Sequence, residues 1–351
     1  MSFKENKTEI TALGEFGLIK HLTKDNKIKH PETVKAVGDD AAVIDVGDKY
    51  MLVSTDLLLE GIHFDLTYMP LKHLGYKSII VNLSDIYAMN GLAKQVTVSI
   101  GLSNRFGLEA VEELYKGITL ACEQYNVDLV GGDTSSSRQG LIISVTAVGE
   151  ISKEKVTYRS GAKFNDLLVV SGDLGGSFMG LQLLEREKSV FSENPEIQPD
   201  LGGNDYVLER QLKPEARKDI IEQFEQFQIK PTAMIDISDG LASEVIHICD
   251  QSGCGANIYD EKIPIDHTTY QLARDFELDP SVVALNGGED YELLFTVAQS
   301  DYDKIKNNPH FTVIGHITDK ASGINLIAKN GTSHELTAQG WDAFLRKEKG
   351  L

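Results

Sequence analysis

The sequence predicts a mixed α/β protein of two units, on three observations. Its 351 residues exceed one small module, and at roughly 150 residues per domain they suggest two cores. Short β-branched runs alternate with longer segments whose apolar residues recur at helical spacing. Near residue 160 the order begins again with a short apolar run and a glycine-rich turn. We therefore expect one unit over 1–155 and a second over 156–351.

In the first unit, residues 50–54 read as a strand that stops at Thr55-Asp56. Leu71, Leu74, Ile79, Leu83 and Ile86 predict a helix over 71–90. Residues 95–102 read as a strand, and Leu108, Val111, Leu114, Ile118 and Cys122 predict a helix over 107–125. Strands follow at 127–130 and 141–149, separated by turn-rich Gly131 to Ser137. In the second unit, 167–171 is a short buried strand, and Gly172 to Gly176 leads into a helix over 177–188. The stretch 189–205, with two prolines and Gly202-Gly203, reads as a loop or insertion. Helices flank Pro214, and another runs from Asp239-Gly240 to Gly253. Strands at 255–260, 291–297 and 311–318 and a hairpin turning at Asn330-Gly331 complete the unit.

Charge narrows the function. Fifty-three acidic residues against 34 basic ones give a formal charge of −19. Such a body repels nucleic-acid backbones and anionic lipid, so neither partner is expected. A phosphorylated ligand would have to be met locally, by metal ions, backbone N–H groups or a few placed arginines. The first thirty residues hold no apolar signal core, and no run approaches a membrane span. Cys122, Cys249 and Cys254 form no Cys-x-x-Cys pair. A cytoplasmic protein is expected.

The common phosphate motifs are absent. No Gly-Lys dipeptide occurs, which excludes a Walker A loop, and there is no Gly-x-Gly-x-x-Gly, His-Arg-Asp or Asp-Phe-Gly. What remains is a series of acidic clusters beside glycine or hydroxyl residues. They are Gly38-Asp39-Asp40, Ser54-Thr55-Asp56, Asn82-Leu83-Ser84-Asp85, Gly131-Gly132-Asp133-Thr134, Asp236-Ile237-Ser238-Asp239-Gly240 and Gly287-Gly288-Glu289-Asp290. Carboxylates and hydroxyls are hard oxygen ligands, suited to Mg²⁺ and not to zinc. Each cluster alone is equally a turn or a helix cap. Asp85 differs, because it falls among apolar helix positions, where a carboxylate needs a partner.

Taken in order, these clusters resemble the thiamine-monophosphate kinase family. Further matches are Gly14 to Ile19, Gly61-Ile62-His63-Phe64, Arg159-Ser160-Gly161-Ala162-Lys163 and Gly340-Trp341, so the likeness runs from about 14 to 344. The resemblance implies transfer of the γ-phosphate of ATP to thiamine monophosphate, giving thiamine diphosphate. It implies the two-domain fold of aminoimidazole-ribonucleotide synthetase and its relatives, with N-terminal domains of two subunits pairing into a β-barrel in a homodimer. It makes Asp40, Ser54, Thr55, Asp56, Asp85, Asp133, Asp236 and Asp239 the Mg²⁺ ligands. Gly132, Asp133, Arg159 and Ser238 would contact ATP, and His63, Glu289 and Trp341 would line the thiamine site. Asp56, Asp85, Asp133, Asp239 and Arg159 would carry catalysis.

The residue chemistry runs alongside. Arg159 offers a bidentate fork for phosphate in an acidic chain, or else an ion pair. Glu289 can accept from an aminopyrimidine, and Trp341 can stack on that ring or pack in a core. His63 reads as a substrate contact or a loop histidine. Tyr158 and Ala343 depart from the family pattern, beside the nucleotide and substrate segments. A phosphate nucleophile is already an anion at neutral pH, so direct in-line transfer without a phosphoenzyme is expected. Selenophosphate synthetases, which need a reactive residue near the N-terminus, fit less well, since the first cysteine is Cys122. A non-catalytic metal- or nucleotide-binding protein is the alternative from another class.

Overall fold

A computed structural model describes residue 10 and residues 13–340. The apolar runs pair into two sheets. The first contains β1 (Thr33–Lys35), β2 (Ala42–Asp45), β3 (Lys49–Leu59), β4 (Leu92–Leu102), β5 (Asp128–Ser136) and β6 (Ile142–Ser152), in the order β1-β2-β3-β6-β4-β5. Only β4 and β5 pair in parallel. With it come helices α1 (Gly14–Thr23), α2 (Leu71–Ala88) and α3 (Leu108–Tyr125). Asn126 ends α3 in the left-handed conformation that suits a helix stop.

The second sheet contains β7 (Leu167–Ser171), β8 (Ala233–Asp236), β9 (Gly255–Tyr259), β10 (Leu293–Val297), β11 (Phe311–Thr318), β12 (Ile324–Ile327) and β13 (Ser333–Glu335). Their order is β13-β12-β9-β11-β7-β10-β8. Strands β8 and β10 are buried along their whole length, which is why they are apolar without alternation. Helices α4 (Gly176–Glu193), α5 (Asp205–Leu212), α6 (Lys218–Phe227), α7 (Leu241–Ser252), α8 (His267–Asp275), α9 (Pro280–Asn286) and α10 (Tyr302–Ile305) complete this half.

Helix α2 joins the halves. It is buried on nearly every face, so the polar residues it carries there, Lys77, Asn82 and Ser84 among them, need partners. One continuous core runs from Val43 and Leu52 through Ile79, Ile80 and Leu83 of α2 to Met234, Leu293 and Phe295. The α2 residues Asn82, Ser84 and Asp85 reach elements of both halves, bonding Asp56, Asp236 and Ser54 respectively. Among the described residues no helix is long and apolar enough to cross a membrane.

Several expectations change. The strand expected to stop at Thr55-Asp56 continues to Leu59, because its ladder with β6 runs unbroken from Lys49 against Ser152 to Leu59 against Ile142. Gly131 to Ser136 is not a turn but the outer part of β5, in register with Thr97 to Leu102 of β4. Gly132 is required there, since a Cβ would lie 1.8 Å from the Val98 carbonyl oxygen. The expected loop over 189–205 begins later, because α4 extends to Glu193.

Candidate active site

Three carboxylates meet where the halves join. Asp40 comes from the turn before β2, Asp85 from α2 and Asp236 from the end of β8, and their ligand oxygens lie within 4.8 Å of one another. Each is held by a neighbour on a different element. Ser54 of β3 donates to Asp85 Oδ2, and Ser84 of α2 donates to Asp236 Oδ2 at 2.6 Å. Arg159 donates from Nε and Nη2 to Asp40 Oδ1 at 3.0 and 2.6 Å, while its backbone N–H bonds Asp39 Oδ1 at 3.0 Å. The sequence left Arg159 open between phosphate fork and ion pair; here it is paired with Asp40.

Asp56 flanks this group. Asn82 of α2 accepts its backbone N–H at 3.0 Å, and its charge acts on both Asp85 and Asp236. The pleat turns Thr55 to the other face of β3, where its hydroxyl donates to the Val145 carbonyl at 2.9 Å and accepts from Thr146 at 3.1 Å. The Thr55 side chain therefore points away from Ser54 and Asp56. Asp239 follows in the loop before α7, with its N–H on Glu244 Oε1 at 3.1 Å.

Burial dominates the electrostatics. It raises Asp40 to about 7, against the opposing pull of Arg159. It raises Asp56 and Asp236 each to about 6, and carries Asp85 and Glu244 well above the carboxylate range. Asp40 Oδ2 and Asp56 Oδ2 are buried and accept no hydrogen bond. Closely set carboxylates with orphaned oxygens, and a hydroxyl beside them, fit a hard divalent cation. Mg²⁺ suits that donor set.

A second group lies beside the first. Glu289 has φ +56°, and its N–H donates to the Ser238 carbonyl at 2.7 Å. Gly288 allows the approach, since a Cβ there would stand 2.7 Å from that same oxygen. The backbone is strained where a carboxylate must be aimed. His63 accepts the Leu59 N–H on Nδ1 at 3.0 Å, which leaves its proton on Nε2. Burial lowers the His63 pKa against the pull of Glu289, so the ring is neutral near pH 7. Trp341 lies outside the described residues. Gly340 before it abuts Asp239, where a Cβ would meet the Asp239 carbonyl at 2.1 Å.

Asp133 and Gly132 are not gathered with Asp40, Asp85 and Asp236. They stand on β5, an edge strand exposed throughout, beside a shallow concavity shared with Val98 and Tyr115. Sequence reasoning passed over Tyr115, Glu244 and Lys77. Lys77 and Glu244 carried a readable signal, because each is a charge among apolar positions of a helix and each is buried.

Comparison with known proteins adds the following. Residues 38–151 match the AIR synthase related protein N-terminal domain, and residues 165–325 match the corresponding C-terminal domain. The thiamine-monophosphate kinase of Aquifex aeolicus is 36% identical over 334 residues, covering 95% of this chain and 98% of its own. That of Bacillus subtilis is 32% identical over 338 residues, covering 95% and 100%. A solved structure of AaThiL complexed with AMPPCP and TMP superposes with a TM-score of 0.82 at 33% identity, covering 97% of this chain and 99% of that one.

Proposed function

The chain belongs to the thiamine-monophosphate kinase family, and on that premise we propose that it transfers the γ-phosphate of ATP to thiamine monophosphate. The products are ADP and thiamine diphosphate. The observation that carries the reading is the close group of buried Asp40 and Asp236 with half-buried Asp85, and the orphaned oxygens on Asp40 and Asp56. A relative of nearly identical extent is complexed with AMPPCP and TMP.

The acceptor is a phosphate oxygen, with a second ionisation near ~6 as in other phosphomonoesters. It therefore needs no general base at neutral pH. The difficulty is repulsion between two polyanions. Mg²⁺ supplies positive charge that offsets it. Asp40, Ser54, Asp56, Asp85, Asp236 and Asp239 would hold the ions, and Asp133, set apart on β5, would hold one of its own. Thr55 has its hydroxyl engaged across the sheet with Val145 and Thr146, so its side chain is not available to the ions. Arg159 exchanges part of its pairing with Asp40 for nucleotide phosphate, joined by Gly132 and Ser238. His63, Glu289 and Trp341 orient thiamine monophosphate for direct in-line attack, with no phosphoenzyme.

We place the boundary between the halves near residue 155, in the connection from β6 to β7. We also propose a homodimer through the first half, in the cytoplasm. Strand β5 leaves a sheet edge open, with Leu129 40% and Val130 60% exposed, and a partner's sheet would cover it. ATP turnover that depends on thiamine monophosphate tests the activity.

A further inference from the structure

Lys77 stands on α2 two turns before Asp85, and its side chain is 2% exposed. A buried ammonium requires acceptors. Lys77 Nζ has two, Glu289 Oε2 at 3.0 Å and the Gln211 carbonyl at 3.2 Å. The Gln211 side chain is fixed in turn by Ser177 Oγ, which donates to Gln211 Oε1 at 2.5 Å. The Glu289 side chain is 32% exposed, so the carboxylate faces the opening while the ammonium lies beneath it.

We propose that Lys77 is a positioning residue for substrate selection. It holds one oxygen of Glu289 so that the other is presented to the amino group of the substrate's pyrimidine. The inference rests on the reading that Glu289 meets that ring. Anchoring removes rotational freedom from the carboxylate before substrate arrives, and affinity gains what ordering would have cost. The pair is neutral overall, so selection depends on the hydrogen bond and not on net charge. A site built to accept an amino donor rejects an analogue with an oxo group there, because two acceptors would face each other.

The test compares Lys77→Met, Glu289→Gln and the double variant with the native enzyme. Each is assayed on thiamine monophosphate and on the analogue carrying an oxo group in place of the pyrimidine amine. Lys77→Met should raise the KM for thiamine monophosphate about tenfold or more, leaving kcat and the ATP KM within about threefold, as expected when a charged hydrogen bond in uniform binding is lost. The preference for the amino substrate should collapse, and the double variant should be no worse than Glu289→Gln alone. Equal effects on ATP, a retained amino preference, or losses that multiply in the double variant would overturn the proposal. An unchanged KM in Glu289→Gln would instead overturn the reading of Glu289. Lys77→Gln, which keeps a donor without charge, serves if Lys77→Met does not fold. Failure of both to fold would make Lys77 a structural ion-pair partner and overturn its positioning role.

Discussion

Replacing Asp85 with Asn separates a metal ligand from a structural carboxylate, because the two roles predict opposite signs. Asn keeps the shape and still accepts the Ser54 hydroxyl. It removes one of three charges whose oxygens lie within 4.8 Å of one another. At an effective dielectric near 20, each like-charge pair at that separation repels by about 3–4 kcal/mol. Protonation relieves part of this, since Asp85 is raised well above the usual range by burial and by Asp56, Asp236 and Asp40. A net gain of about 1–2 kcal/mol at pH 8 raises the melting temperature of the Mg²⁺-free protein by roughly 1–3 °C for a chain of this length. The same change removes attraction for the cation, so the upward shift caused by Mg²⁺ should shrink. Turnover should fall at least ~100-fold, the scale of losing a charge-stabilising group. Thermal melts with and without Mg²⁺, beside a coupled ADP assay, measure all three. If the Mg²⁺-free variant melts lower while its Mg²⁺ response and turnover match the native enzyme, Asp85 is structural and the reasoning fails.

Asp56→Asn, Asp133→Asn and Asp239→Asn should each remove most activity while the protein still folds, without a lower melting temperature, and added Mg²⁺ should restore part of it. Near-normal turnover in all three would return them to turn and ladder roles. The pH response of the metal-free protein follows from Asp40 at about 7 and from Asp56 and Asp236 at about 6, all raised by burial. The folded state keeps protons that the unfolded chain has already released, so these groups favour folding below about pH 4 and lose that contribution as pH rises through 6 to 7. Melting temperature without divalent cation should therefore drop from pH 5 to pH 8, and saturating Mg²⁺ should flatten the slope; a rise over that range would contradict the assignment. Sedimentation at micromolar concentration should give a dimer, and a fully active monomer would refute the proposed pairing at β5.

How far the sequence could be read depends on what holds each element. Helix α3 and strands β7 and β11 were legible because local apolar spacing reflects the faces they bury. Of β5 only the start was, as the strand expected at 127–130; Gly131 to Ser136 is exposed and nothing apolar betrays it, and only its ladder with β4 makes it strand. Ser54-Thr55-Asp56 misled for a related reason. A hydroxyl-rich tripeptide looks like a cap until the partner strand β6 is known. Asp85 was readable as a charge out of place, and the same test applied to Lys77 and Glu244 would have found them. That Arg159 pairs with Asp40, 119 residues away, lay beyond any local pattern.

The most direct test follows ADP and thiamine diphosphate formed by purified protein with ATP, Mg²⁺ and thiamine monophosphate. ADP should appear only when thiamine monophosphate is present, one thiamine diphosphate should form per ADP, and chelation of Mg²⁺ should stop both. ATP hydrolysis indifferent to thiamine monophosphate, or none at all from folded protein, would contradict the proposed activity.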